Sequence, residues 1–424
     1  MTEAQHAIPT SPARAESSAH VLLTGVTGFV GQELLCQLVL GTSARVTCVV
    51  RGGDDANARD RLDGVLHRLF GRGAERSLRG RVAAVQGDVT RRDLGLAPRV
   101  RNELMRSTTH VLHGAASVRF DLPLADARRI NVGGTMHAAD FAVQAHRRGR
   151  LQRFGYVSTA FVGGCHPGVF CEDDLDIGQR FRNTYEQTKF EAEVLLRPRM
   201  RDVPTTIVRP SIVIGHSRSG ATNAFNVIYW PLQLFAHGGL RVAPASPDLP
   251  VDVVPVDYVA GGAIRALFDG EADTTYALAA GAQATTAAAI GDIAARTFAV
   301  QPPAFMPRVL DRAVAGVTLP LSRVGPWQRI SRSLRQFLPY FHQGSRFDTR
   351  HADQLLRPRG ITPPSPEALL EPALAYALHT DFGRNRKAIA LSDSRLARAR
   401  RRQLEAACDG SREGVRDRVR RTRR

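Results

Sequence analysis

A chain of 424 residues with 43% hydrophobic content can bury a sizeable core, which excludes a minimal module and leaves room for one large α/β domain plus an accessory region. No run of eighteen uncharged apolar residues occurs and the first nineteen residues lack an apolar signal stretch, so the expectation is a short disordered lead-in (1–19), no spanning helix and a cytoplasmic protein. The net charge of +18 is partly terminal: residues 394–424 hold twelve arginines against four acids and no aromatic residue, which argues against a specific nucleic-acid reader and for a solvated arm or one that touches a lipid surface.

From His20 onward short apolar runs alternate with amphipathic segments, the rhythm of a parallel sheet covered by helices on both faces. Strands are predicted at residues 20–24, 46–50, 82–86, 110–114, 154–158 and 206–209. Val30, Leu34 and Leu38, four apart, mark one buried helix face, and Gly41 is suited to end that helix. A short strand is expected at 253–256, a helix at 259–268, and further sheet and helix through the Ala-rich stretch 279–295. A first unit, doubly wound with a small substrate lobe, is then expected over residues 20–300. Beyond it Pro302, Pro303 and Pro307 break the rhythm, and 309–341 reads as helix or loop. Residues 301–390 are expected to form a C-terminal helical region, either a cover for the core or a surface for a substrate chain or membrane, followed by an Arg-rich tail at 391–424.

Thr24, Gly25, Val26, Thr27, Gly28, Phe29, Val30 and Gly31 follow the first strand and open the first helix. In that context Gly25 permits a tight turn, Gly28 lets the backbone approach a pyrophosphate, Gly31 allows close helix-to-sheet packing, and the helix N-terminus offers N–H groups to phosphates. This is the dinucleotide site of a Rossmann sheet. Twenty residues after Gly31 the second strand is followed by Arg51, with Arg59 and Arg61 close behind, where an acid would bind a free 2′-hydroxyl. Arginine there suits a 2′-phosphate, so the cofactor expected is NADPH and not NADH.

Tyr185 and Lys189 lie four apart in a helical pattern, on one face. A phenol is a poor proton donor and acceptor near neutrality unless a cation stabilises its anion, and a compact ammonium does this while also reaching ribose hydroxyls. Only two of the 58 basic residues are lysines, Lys189 and Lys387, which makes a lysine at this spacing from a tyrosine an informative coincidence. Thr159 follows the strand at 154–158, at the carboxyl end of the sheet, where its hydroxyl can hydrogen-bond a carbonyl; Ser158 is its neighbour, but successive strand residues face opposite sides. The five cysteines, Cys36, Cys48, Cys165, Cys171 and Cys408, are scattered and odd in number, with no disulfide framework, and Cys165, His166 and Cys171 fit no zinc spacing, so no metal is expected.

Taken together, the stretch from Thr24 to Gly31, Gly87-Asp88-Val89, Gly114-Ala115-Ala116-Ser117, Asn131-Val132-Gly133-Gly134-Thr135, Val157-Ser158-Thr159-Ala160, Tyr185 with Lys189, and Arg209-Pro210 resemble the extended short-chain dehydrogenase/reductases over residues 20 to about 270. Within that superfamily the run from Val157 to Val162, Asn183 to Glu193, Arg209 to Gly215 and Val253 to Asp257 look most like fatty acyl-CoA reductases and thioester reductase domains of the male sterility type; Phe347-Asp348 through Leu356, and Tyr376 with Asp381-Phe382, look faintly like the helical C-terminal part of the acyl-CoA reductases. The resemblance implies that Asp88 contacts the adenine, that Val89, Ala115, Ala116 and Pro210 line the cofactor, and that Asn131 supports Lys189 through a water. It further implies reduction of an acyl thioester of CoA or an acyl-carrier protein, with Thr159 and Tyr185 binding the developing oxyanion. A sugar-nucleotide or sterol-type member of the superfamily shares the same apparatus, and a nucleotide-binding protein without catalysis is the reading from a different class.

Overall fold

The computed structural model describes residues 19–225, 227–305, 340 and 344–421, the stretch 407–421 by its backbone alone. Seven strands, β1 (His20–Thr24), β2 (Arg45–Val50), β3 (Val82–Gln86), β4 (His110–His113), β5 (Arg153–Val157), β6 (Thr205–Pro210) and β7 (Thr274–Leu278), form one sheet in the order β7-β6-β5-β4-β1-β2-β3. Every pairing is parallel. The strands are near-continuous apolar runs because helices cover both faces. The order reverses between β1 and β4, which places a crevice at the carboxyl ends of those two strands.

The longer helices are α1 (Phe29–Gly41), α2 (Asp55–Phe70), α3 (Pro98–Ser107), α4 (Gly134–Arg147), α5 (Thr184–Leu196), α6 (Tyr229–Ala236), α7 (Val256–Asp269), α8 (Ala287–Phe298), α9 (Arg350–Leu356), α10 (Pro366–His379) and α11 (Arg386–Arg421). Leu34, Leu38, Leu66, Val259 and Leu267 on α1, α2 and α7 bury one face of the sheet; Met105, Phe141, Ala142 and Leu196 on α3, α4 and α5 bury the other. The first helix ends differently from expectation. Thr42, with an extended backbone, donates its hydroxyl to the Leu38 carbonyl at 2.7 Å, and nothing crowds the position of Gly41, so a side-chain cap closes the helix.

The strand expected at 253–256 is Val253–Pro255. It pairs with Ile212–Ile214 outside the main sheet, and helix α7 begins directly after Pro255, earlier than the apolar pattern suggested. A third core joins α6, α8 and α10 through Leu232, Phe235, Ile290, Ile293, Leu370 and Leu374. The lobe outside the main sheet, expected within residues 20–300, is therefore built by residues from both sides of position 300. Glu172, only 1% exposed, ties α9 to the sheet: its carboxylate accepts from the backbone N–H of Ala277 on β7 and of His351 and Ala352 in α9.

The Arg-rich end, expected to be an arm from residue 391, continues the helix that starts at Arg386. Up to residue 406 it lies on the body: Ala397 and Leu404 are buried, and Arg400 pairs with Glu33 of α1 at 2.6 Å. The stretch 309–341, apart from Tyr340, and the side chain of Cys408 lie outside the described residues. Among the described residues no helix is long and apolar enough to cross a membrane.

Candidate active site

The turn between β1 and α1 shows why its glycines are glycines. Gly25 has φ +83°, and a Cβ there would stand 2.6 Å from the Gly114 carbonyl carbon; a Cβ on Gly31 would stand 2.0 Å from the Gly25 oxygen. Gly28 is different, since its nearest such contact is a 3.3 Å approach to the Gly25 oxygen, and both it and Thr27 face solvent. It is the N-cap of α1 and supplies no side-chain cap, so the first-turn N–H groups of Phe29, Val30 and Gly31 keep their capacity to bind an anion. The cradle fits a dinucleotide pyrophosphate. Thr24 does not share in it through its hydroxyl: Oγ1 lies 2.8 Å from His113 Nδ1 and accepts from Ala115 N at 3.2 Å, which braces β1 against β4 at the crevice. Burial lowers the His113 imidazole to about 3, so that brace stays neutral.

Arg51, Arg59 and Arg61 are exposed beyond the end of β2, and Arg61 donates to the Arg51 carbonyl, which brings its guanidinium onto the ledge at the end of that strand. Asp88 follows β3 and accepts from Thr90 N and Thr90 Oγ1, both at 2.9 Å. Partial burial opposes ionisation there, but those hydrogen bonds and the charges of Arg51 and Arg91 hold its carboxyl below the usual range. Val89 turns its side chain into the core against Gly134 and can offer a ligand only backbone; Ala115 and the exposed Ala116 run along the crevice.

Ser158 and Thr159 leave β5 on opposite sides. Ser158 donates to the buried Glu193 carboxylate, whereas Thr159 caps the short helix Ala160–Gly163, accepting from Phe161 N at 3.3 Å and donating to the Pro210 carbonyl at 3.4 Å. Helix α5 starts at an Asn183 cap that accepts from Glu186 N at 3.0 Å, and it carries Tyr185 and Lys189 one turn apart. Lys189 is 2% exposed. Its Nζ donates to the Val157 carbonyl at 2.7 Å and lies 4.2 Å from the centre of the Tyr156 ring. Burial lowers this ammonium to about 7, against the opposing pull of Glu193. Tyr185 stacks on Phe120, ring centres 5.9 Å apart, and is pushed up to about 12 by desolvation, with a hydrogen bond from Thr159 acting the other way. Thr159 and Tyr185 thus lie within hydrogen-bonding reach of each other, with Lys189 one turn further along the same helix.

Asn131 sits in a π-helical turn, Arg128–Gly133, and is 1% exposed. Its Oδ1 accepts from Ser117 N at 2.8 Å, and its Nδ2 donates to Ser117 O at 3.1 Å and Thr188 Oγ1 at 3.0 Å. The amide thereby pins α5, through Thr188 beside Lys189, to the loop after β4.

Several site-building residues escaped the sequence reading. Glu193, four residues after Lys189 on the same helix face, binds Arg209 at 2.7 Å in a pair that is almost wholly buried; its spacing was a usable signal. Glu186 lies beside Tyr185 and forms a second buried pair with Arg182 at 3.3 Å. Tyr340 donates to Glu186 at 2.5 Å, accepts from Asn183 at 2.7 Å and stacks on Phe120. Nothing local marks Tyr340, since its partners are some 150 residues away.

The family described as male sterility protein, an NAD-binding domain, matches residues 23–263. A Drosophila melanogaster protein provisionally named a fatty acyl-CoA reductase is 29% identical over 60% of this chain and 53% of its own length. The glycine betaine reductase of Emericella nidulans is 35% identical over 58% of this chain and 19% of its own. This chain therefore spans about half, or much less, of the curated relatives it matches. Among solved structures, the terminal R domain from the myxalamid PKS-NRPS biosynthetic pathway superposes with a TM-score of 0.74 and 26% identity, over 88% of this chain and 94% of that one. The reductase (R) domain of a nonribosomal peptide synthetase from Mycobacterium tuberculosis shares the fold with a TM-score of 0.66 and 20% identity, over 91% and 95%. With a doubly wound sheet, a dinucleotide cradle and a family match over more than half its length, the chain belongs to the male sterility protein family, the reductase branch of extended short-chain dehydrogenase/reductase-type NAD(P)-binding proteins.

Proposed function

We propose that this chain reduces an acyl thioester, presented on CoA or on an acyl-carrier protein, with NADPH as the reductant. The observation that carries the reading is the pairing of the Thr159 and Tyr185 hydroxyls at the carboxyl edge of the sheet, the same edge that carries the glycine turn after β1. When bound, NADPH supplies a hydride to the thioester carbonyl carbon. Thr159 and Tyr185 then hydrogen-bond the oxygen as it gains charge, and Tyr185, protonated at neutral pH, gives it a proton. Lys189 lowers the cost of the phenolate left behind. The hemithioacetal so formed loses its thiol and leaves an aldehyde; a second turn of the same steps gives the alcohol. Incubation of the purified chain with NADPH and a thioester, with the products separated, tests this directly, and absence of both aldehyde and alcohol would overturn it.

The exposed ledge at Arg51 and Arg61 supports NADPH over NADH. A charge-assisted hydrogen bond contributes roughly 1.5–3 kcal/mol, so Arg51→Ala is expected to raise KM for NADPH about 10- to 100-fold while leaving KM for NADH within about two-fold. Equal loss with both cofactors would remove the 2′-phosphate assignment.

Lys189 also sets a pH dependence. The useful form is the ammonium, and burial lowers its folded-state value to about 7, so its charged fraction falls as pH rises through that value. Consequently log kcat/KM for reduction is expected to be level below pH 7 and to fall above it, and Lys189→Arg, charged throughout, should lose that inflection along with most activity. A profile level to pH 9 in the unaltered chain would contradict the role.

A further inference from the structure

Helix α11 takes no part in the proposed chemistry, yet its docked stretch, residues 386–406, lies against α1 and α2, the two helices that carry the dinucleotide site. Asp393, Ala397, Arg400 and Leu404 follow one another at spacings of four, three and four and so share one face of α11. Ala397 and Leu404 are buried, Leu404 within the core that includes α1 and α2. The other two positions of that stripe carry charge. A helix that served only as a cover would place apolar residues there, because taking a charge out of water is costly unless a partner meets it.

Both charges lead toward the cofactor cradle. Arg400 pairs with Glu33 Oε2 at 2.6 Å, one turn after Phe29 at the start of α1. The other oxygen of Glu33 accepts from Gln37 at 3.1 Å, and the Gln37 amide also donates to the Asp257 carbonyl of α7 at 2.9 Å, so α1 is gripped from two sides. Burial pushes the Asp393 carboxyl up, and the charges of Arg68 on α2 and of Arg400 act against it. Arg68 in turn donates to Gln32 Oε1 at 3.0 Å, and Gln32, 6% exposed, donates to the Thr27 carbonyl at 3.1 Å. Thr27 immediately precedes the Gly28 N-cap, so a buried amide fixes the one carbonyl that, turned toward the cradle, would repel a pyrophosphate. At the far end of the same contact, Arg401 donates to the Arg72 carbonyl just after α2, the helix whose first half carries Arg59 and Arg61.

We propose that Arg400, Glu33, Arg68 and Gln32 are positioning residues for the dinucleotide, and that the docked stretch of α11 clamps α1 and α2 so that the glycine turn and the arginine ledge keep the spacing of one bound cofactor. These side chains act through the turn and the ledge, from the side of α1 and α2 that faces α11. The inference rests on the dinucleotide reading of the cradle and adds to it a second face of the molecule whose docking shares free energy with cofactor binding. Such coupling is reciprocal: a clamp that tightens the cofactor is itself tightened by it.

Two measurements on the full chain test the clamp. In the first, backbone amide exchange of the unaltered protein is followed with and without saturating NADPH. The amides of residues 386–406 are expected to slow at least about five-fold more than those of α3, which packs on the opposite face of the sheet. In the second, fluorescence titration gives the Kd for NADPH. Arg400→Met and Gln32→Met are each expected to raise it about 5- to 10-fold, whereas Arg400→Lys, which keeps a cation for Glu33, should stay within about three-fold of the unaltered chain. Equal slowing in α3 and in 386–406, or an Arg400→Met protein whose Kd lies within about two-fold of the unaltered value, overturns the clamp. Should Arg400→Met not fold, the exchange comparison on the unaltered chain decides alone. A chain that takes up neither NADPH nor NADH overturns the dinucleotide reading and the clamp together, while tight NADPH binding that is indifferent to Arg400→Met removes the clamp and leaves the dinucleotide reading standing.

Discussion

Tyr185→Phe is expected to lower kcat for thioester reduction by about 10²- to 10⁴-fold, the range for loss of a positioned proton donor. The ring is kept, so its stacking on Phe120 and the geometry of α5 should persist, and only the hydroxyl that meets Thr159 is lost. That hydroxyl contributes most when the substrate oxygen carries charge, so kcat should fall much more than KM rises, and cofactor affinity should be unchanged. Thr159→Val is a smaller loss, because Tyr185 remains to bind the same oxygen. Single-turnover loss of NADPH absorbance, together with a fluorescence titration of the cofactor, measures both quantities. A Tyr185→Phe protein that retains more than about a fifth of the rate would place the proton donor elsewhere, since no general-acid role is worth so little.

The nucleotide-binding half was legible because it is local. From β1 through the glycine turn to α1, strand, turn and helix occupy consecutive residues, and the steric demands at Gly25 and Gly31 are met within a few positions and at Gly114. Tyr185 and Lys189 were legible for the same reason, being one turn apart on α5. The lobe outside the main sheet was not. Its core joins Leu232, Ile290 and Leu370, which no periodicity links, and a boundary drawn near residue 300 divides residues that pack together. The role of Thr24 also eluded the pattern, because its hydroxyl is committed to His113 across the sheet. Asn131 shows the same limit: the resemblance singles it out, while its partners, Ser117 and Thr188, depend on how a π-helical turn orients one amide. The Arg-rich end read as an arm because its charge dominates its composition, yet Ala397 and Leu404 recur along one side and bury against α1 and α2.

Glu193→Ala is expected to destabilise the fold by about 3–5 kcal/mol, a large share of the roughly 5–15 kcal/mol that holds a typical domain together. Glu193 and Arg209 are each no more than 1% exposed, and the carboxylate also accepts the Ser158 hydroxyl. Without it the guanidinium of Arg209 keeps neutral partners, the carbonyls of Cys171, Glu172 and Asp174, but no counter-charge. The penalty therefore comes from the buried charge left behind more than from the bond removed. A double replacement, Glu193→Leu with Arg209→Met, should recover much of the loss while loosening the loop at 171–174, and a double-mutant cycle in guanidinium chloride measures the coupling. The milder Glu193→Gln separates folding from chemistry. It keeps the shape of the pair, yet it removes the one charge that raises Lys189 against the pull of burial, so the inflection in kcat/KM should move below pH 7. An unfolding free energy for Glu193→Ala within about 1 kcal/mol of the unaltered chain, or a Glu193→Gln profile with its inflection in place, would mean that this carboxylate neither supports the sheet edge nor tunes the ammonium.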